Sequence, residues 1–233
     1  MKLSQIDTST RYPIVIPSSK EETTFRAFLV KEEKALLIAV ESEDPAVQLA
    51  TLEKVIKDCL SPEPKKLLTT FDIEYLFLQI RGKSVDEIAS LVGTCGTCKE
   101  TTDFEVDVTK VEVIYPGDDN TKLTVATNLI LQMKYPTIKA MQEIAKETNE
   151  LTKKFKAIAM CIETVYFDDF VMHTQDTSLE EVLAFLDNRS DAEMEIITKF
   201  IENTPTVSLK TSFKCMHCGA NNEIELKTLS DFF

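Results

Sequence analysis

Residues 213–219 read Phe213-Lys214-Cys215-Met216-His217-Cys218-Gly219. Two cysteines three positions apart, closed by a glycine, have the spacing of one knuckle of a metal site, and a tetrahedral ion needs two knuckles. A second pair stands at Cys95-Gly96-Thr97-Cys98-Lys99. The residues downstream of the two pairs are also alike: Asp103-Phe104-Glu105-Val106 after the first, Glu223-Ile224-Glu225-Leu226 after the second. Both read acid, apolar, acid, apolar, the period-2 pattern of a half-exposed strand. The expectation is a zinc-ribbon-like β unit: two knuckle hairpins face one another, and Cys95, Cys98, Cys215 and Cys218 hold one structural Zn2+.

Ordinary ribbons separate their pairs by about 15–20 residues. Here the interval runs from Cys98 to Cys215, so the matched flanks imply an insertion between the hairpins of one ribbon. Three rival readings stay open: an ion shared by two chains, reduced free thiols, and a redox dithiol. A redox Cys-x-x-Cys sits at a helix N-terminus that lowers its thiol pKa, whereas strands are expected after both pairs. His217 reads as an exposed knuckle residue rather than a ligand. Four thiolates leave no open position for water or substrate, so the expected role is stability. Zinc supplies on the order of 10 kcal/mol of apparent folding free energy to small units that lack a core. Cys59 falls on the helical stripe Leu52, Val55, Ile56, Cys59, and Cys161 lies in another apolar helical run. Both read as small core hydrophobes.

Composition bounds the rest. The chain has 233 residues, 43% of them hydrophobic, enough for a real core. Its formal net charge of −13 argues against a nucleic-acid partner, which would need a surplus of Lys and Arg on some face. The start, MKLSQIDTSTRYP, has no apolar stretch of signal-peptide length. The longest apolar runs, Ala35–Val40 and Ala157–Ile162, are too short to cross a bilayer. A cytosolic location is expected, where thiols stay reduced and cysteine pairs lean towards metal.

Along the chain, Tyr12–Ile16 and Thr24–Val30 read as strands, and Lys31-Glu32-Glu33-Lys34 as a charged turn. Asp44-Pro45 opens a helix to about Leu60, with Asp as cap and Pro in the first turn. Thr69 and Asp72 sit at capping-box spacing before a helix to Arg81-Gly82. That helix is apolar on several sides and must be buried. Strands are expected at 103–108, 111–115 and 121–126. Helices are expected after Pro136, through Leu151–Ile162, and behind the Ser178/Glu181 and Ser190/Glu193 boxes. The fold class is α+β. An N-terminal α/β unit spans 1–92, the ribbon-like β unit takes 93–134 with 206–233, and a helical insertion fills 135–205.

No catalytic constellation emerges. None of the five glycines builds a phosphate-cradling loop, and Gly-x-Ser-x-Gly is absent. His173 and His217 make no catalytic set. Asp168-Asp169 and Glu180-Glu181 fit a solvated turn and a helix first turn. No small-molecule substrate and no membrane partner is implied.

The stretches FRAFLVKEEKALLIAVES (25–42), LLTTFDIEYLFLQIRGKSV (67–85) and LSDFF (229–233) resemble baseplate proteins of T-even-like contractile-tailed phages. That family contains baseplate hub subunits and hub assembly proteins, and the run from Phe71 to Arg81 is the most specific part. Pro often follows Phe-Arg where this chain has Ala27, and Gly often follows Ser-Val where it has Asp86; both departures touch turns. The resemblance implies a non-enzymatic hub subunit or hub assembly chaperone that binds other hub and tail proteins. It also implies synthesis in the host cytoplasm and a place in assembly or in the virion tail baseplate. It supplies no catalytic residue. The alternative from another class is a zinc-ribbon accessory factor of transcription or replication. The ending carries one more expectation. Phe232 and Phe233 close the chain, and burying one Phe is worth roughly 1.5–3 kcal/mol. They either pack on the chain's own core or dock into a partner.

Overall fold

The computed structural model describes residues 8–42, 44–117, 121–228 and 231. In chain order the first part holds β1 (Tyr12–Val15), β2 (Glu22–Phe25), α1 (Val30–Glu41), α2 (Pro45–Cys59), β3 (Leu60–Ser61), α3 (Thr70–Ser84), β4 (Ile88–Thr94), β5 (Thr101–Asp107) and β6 (Glu112–Ile114). Next come β7 (Lys122–Ala126), β8 (Leu129–Met133), α4 (Ile138–Ala145), α5 (Glu150–Cys161), β9 (Ile162–Phe167), β10 (Phe170–His173), α6 (Leu179–Asp187) and α7 (Asp191–Glu202). The chain returns through β11 (Thr206–Lys214) and β12 (Asn221–Leu226). The fold is mixed helix and sheet, as the α+β expectation has it. Among the described residues no helix is long and apolar enough to cross a membrane.

Two compact units result, one of Met1–Ile114 with Thr206–Phe233, the other of Tyr115–Pro205. In the first, α3 is the organising element. Its capping box forms in both directions: Thr69 Oγ1 accepts the Asp72 N–H at 3.3 Å, and Asp72 accepts the Thr69 N–H at 2.8 Å. Asp72 is wholly buried, and its second oxygen takes the Ser18 N–H at 2.9 Å. The cap thus also ties the β1–β2 loop to the helix start, which a capping pattern alone does not show. Phe71, Ile73, Leu76, Leu78 and Ile80 are all buried, so α3 is surrounded as expected. Leu78 packs with Val108, Val111, Val207 and Leu209, and Gln79 Nε2 donates to the Thr109 carbonyl at 2.9 Å. One helix therefore serves both the N-terminal strands and the cysteine-bearing hairpins, where the sequence reading draws a boundary at 92.

The expected charged turn at Lys31–Lys34 is instead the first turn of α1. Glu32 decides this. It accepts the Leu29 N–H at 2.8 Å, which caps the helix, and it pairs with Arg26 at 2.8 Å with both side chains buried. Arg26 also donates to the Asp58 carbonyl at 3.1 Å. A residue that reads as solvated charge is half of an interior ion pair.

Two antiparallel hairpins carry the cysteine pairs. In β4–β5 the register runs from Ile88↔Asp107 to Thr94↔Thr101; in β11–β12 it runs from Leu209↔Leu226 to Lys214↔Asn221. β6 pairs with β11 on its other edge. Alternate residues of both hairpins build one small core of Ala89, Leu91, Val106, Leu209 and Leu226. Phe104 stacks on Phe213 with centroids 4.9 Å apart, and a Cβ on Gly93 would lie 2.5 Å from the Phe213 ring. Gly93 is there to admit that ring.

The second unit is not purely helical, contrary to the expected insertion. It contains an antiparallel sheet in the order β10-β9-β8-β7. The strand expected at 121–126 and its neighbour β8 pair within this sheet, not with the cysteine hairpins. Leu129, Leu131 and Met133 of β8 form its core with Ile158 and Ile162, and with Val182, Leu186, Ile197 and Phe200 from α6 and α7. The Ser190/Glu193 box is complete, whereas at Ser178 only the hydroxyl's acceptance of the Glu181 N–H is present. Phe232 and Phe233 lie outside the described residues, so their expected docking or packing stays an expectation.

Candidate metal centre

Each cysteine pair sits in the tight turn that joins the two strands of its hairpin, and the turns are built alike. The Cys95 carbonyl accepts the Lys99 N–H at 3.0 Å, and the Cys95 N–H reaches the Glu100 carbonyl at 2.9 Å. In the second turn the Cys215 carbonyl accepts the Gly219 N–H at 2.9 Å, and the Cys215 N–H reaches the Ala220 carbonyl at 2.9 Å. The residue after the second cysteine is left-handed in both, Lys99 with φ 66° and Gly219 with φ 75°. That backbone suits glycine, so Lys99 accepts some strain to close the first turn. With this turn the peptide N–H groups inside each pair point at sulfur. Thr97 N–H, for instance, donates to Cys95 Sγ at 3.4 Å.

The structure brings all four predicted ligands together. Their sulfurs lie within 4.8 Å of one another. Cys95 Sγ is 3.7 Å from Cys218 Sγ, and Cys98 Sγ is 3.6 Å from Cys215 Sγ. Those contacts cross between the hairpins. They are far longer than a disulfide bond of about 2.05 Å. They match the edge of about 3.8 Å that a tetrahedron of thiolates has around an ion with bonds of about 2.3 Å. Cys95 and Cys215 are buried, Cys98 is partly buried and Cys218 faces solvent. His217 is exposed and stands outside the group of four.

Two further residues complete the centre, and sequence reasoning missed both. Thr102 Oγ1 donates to Cys215 Sγ at 3.7 Å and accepts the Met216 N–H at 3.3 Å. Asn222 Nδ2 donates to Cys95 Sγ at 3.6 Å, and its Oδ1 accepts the Gly96 N–H at 2.9 Å. Thr102 and Asn222 each stand four positions after the second cysteine of their own pair. Each reaches across to the first cysteine of the other pair and to the peptide just after it. The two hairpins therefore brace each other by a pseudo-symmetric exchange. The signal was present as polar residues at matching offsets, but Thr and Asn do not resemble one another as letters.

Electrostatics obey the same geometry. The Cys98 N–H, then that of Thr97, lower the Cys95 thiol from its ordinary value to about 6. Cys215 is lowered as well, first by the Cys218 N–H. At Cys98 the Glu100 N–H pulls downward, yet burial and the sulfurs of Cys218, Cys215 and Cys95 together push it up to about 12. Four thiols this close cannot all ionise alone. A divalent cation reverses that balance, since a coordinating thiol is deprotonated outright. Thiolate donors of this number and spacing suit Zn2+ and fill a tetrahedral ion without an open position. The remaining cysteines behave as core residues: burial pushes Cys59 up to about 11 and Cys161 up to about 12.

Fold and centre together describe an α+β chain whose two cysteine-bearing hairpins, far apart in sequence, close on one four-sulfur site with a second unit inserted between them. The family is shown by comparison. The family described as T4 bacteriophage base plate protein matches residues 9–233, and the chain belongs to it. The chain is also similar to Baseplate hub assembly protein gp26 of Enterobacteria phage T4, 25% identical over 211 residues that cover 89% of this chain and 90% of that protein. No solved structure matches the chain.

Proposed function

We propose that this protein is a non-enzymatic component of phage baseplate hub assembly, acting through contacts with other baseplate proteins. We further propose that Cys95, Cys98, Cys215 and Cys218 hold one structural Zn2+ that makes the two hairpins a ribbon. Family membership over nearly the whole chain carries the first part, and the similarity to a hub assembly protein narrows it from baseplate to hub. The four crossed sulfurs carry the second.

The surface supports a protein-binding role. Val30, Leu37, Ile38 and Val40 of α1 all stand more than half exposed, and so do Phe170 and Val171 of β10. Large apolar side chains left exposed on one element are the raw material of interaction sites. The reading places the protein in the host cytoplasm while the baseplate is built. The test is affinity purification of the tagged full chain from infected cells. Identified hub proteins should co-purify. Recovery of a polymerase or of replication proteins in their place contradicts the reading. Whether the chain is present in purified virions separates a permanent subunit from an assembly factor that leaves.

A further inference from the structure

The β7–β10 sheet has two edges of different character. At one, β7 carries Lys122 and a register shift between Thr124 and Ala126, devices that discourage a further strand from pairing. At the other, β10 reads Phe-Val-Met-His and has neither a charge nor a bulge. Its edge is open. Asp168 gives its N–H to the Asn128 carbonyl on the β8 side. Phe167 therefore turns its peptide groups towards Phe170, and Val171 turns its own N–H and C=O outward.

The face beside that edge is apolar beyond the reach of the covering helices. The register sets Leu129, Phe167 and Phe170 in one row on a single face, and Leu131, Val165 and Met172 in the next. Exposure climbs along the first row, from 1% at Leu129 to 46% at Phe167 and 76% at Phe170. Between this face and α6 lies an apolar groove of about 540 Å³, lined by Phe167, Phe170, Met172, Val182 and Phe185, with Glu181 and Arg189 as its charged positions. An open strand edge next to an apolar groove is the arrangement that receives an added strand, with main-chain bonds giving affinity and alternate side chains filling the groove.

Charge selects the occupant. Residues 167–189 carry six carboxylates, Asp168, Asp169, Asp176, Glu180, Glu181 and Asp187, against one guanidinium, Arg189. That guanidinium already has Glu193 at 3.7 Å and the Phe185 ring beneath it. A second copy of this chain would set carboxylates against carboxylates. We propose that β10 and the groove beside it receive an extended segment of another baseplate protein, with apolar residues at alternate positions and Lys or Arg at its flanks. This rests on the baseplate reading above and names the surface and chemistry it uses.

The test uses the full chain and an array of overlapping peptides tiling the other baseplate proteins of the same phage. Peptides with alternating apolar residues and basic flanks should bind, and binding should weaken as salt rises. Val171→Pro removes an outward N–H without touching the β9 pairing, and Met172→Lys fills the groove with charge. Each should weaken binding by about tenfold or more, the scale of losing a central contact. Glu181→Lys should weaken basic peptides alone. If both β10 variants bind as the parent does, or if the chain forms a dimer that Met172→Lys disperses, the proposal is overturned while the baseplate reading stands. If no baseplate peptide binds, and no baseplate protein co-purifies from infected cells, both fall together.

Discussion

The double hairpin and the β7–β10 sheet are small antiparallel assemblies of similar size, yet they are closed by different means. The sheet lays one face on α5, α6 and α7 and buries Leu131, Ile162 and Ile197 completely. The hairpins lean on α3 through Leu78, and at their far end the Phe104–Phe213 stack is followed by the crossed sulfurs and the Thr102–Asn222 exchange. Hydrophobic burial is non-directional and tolerant of single losses. A four-ligand centre is directional and fails when one ligand goes. The two regions should therefore respond differently to the same insult.

The largest contrast is expected from Cys215→Ser or from a chelator. Hydrogen exchange should show protection lost along β4, β5, β11 and β12 and kept along β8 and α5. Equal loss in both regions would break the comparison. Arg26→Met comes next. It leaves Glu32 buried without its guanidinium, and breaking such a pair costs about 3–5 kcal/mol. Burial alone would raise Glu32, but the Arg26 bond, the Leu29 N–H and Lys31 hold its carboxyl below the ordinary value of 4.5. A depressed carboxylate adds stability that is present above the unfolded value and lost as pH falls through the folded one. Urea unfolding of parent and variant should therefore converge in acid. A gap that stays constant down to that range would contradict the pair's role.

Leu76→Ala and Leu131→Ala set equally buried leucines of the two units side by side. Each should cost about 2–5 kcal/mol, the range for a buried Leu. A change below the ~0.5 kcal/mol typical of surface sites at Leu76 would mean that α3 is not core. The smallest expected effect is a gain. Glu74 on α3 has no hydrogen-bond or ion-pair partner among the described residues, and burial raises its carboxyl from 4.5 to about 7. The folded chain keeps a proton that the unfolded chain releases, so stability falls as pH rises from 4.5 to 7. Glu74→Gln should then stabilise by about 1–2 kcal/mol above that window, allowing for partial exposure, and by nothing below it. Equal stability of the two proteins at alkaline pH would mean that water already solvates Glu74.

The sequence was most readable where spacing encodes geometry. Two Cys-x-x-Cys pairs with matching flanks placed all four sulfurs, although 116 residues separate Cys98 from Cys215. Asp44-Pro45, Thr69/Asp72 and Ser190/Glu193 marked real helix starts, because caps are local. Reading failed where the deciding partner is remote or the pattern is uniform. Glu32 looked solvated because nothing local reveals that Arg26 reaches it inside the fold. The expected helix runs on to Ile162, the first residue of β9, because the apolar run Ala157–Ile162 crosses the α5–β9 boundary with no breaker, and the rest of β9 carries no strand expectation. Neither β8, the partner of β7, nor β9, the partner of β8, reads as a strand in the sequence, so the strand at 121–126 falls by default to the cysteine unit.

Metal content of the purified full chain tests the central claim most directly. The account predicts one zinc per chain in the parent and in Cys161→Ser, and none in Cys215→Ser. Absence of zinc from the parent, two ions per chain, or one ion shared by two chains would contradict a single four-thiolate centre closed within this protein.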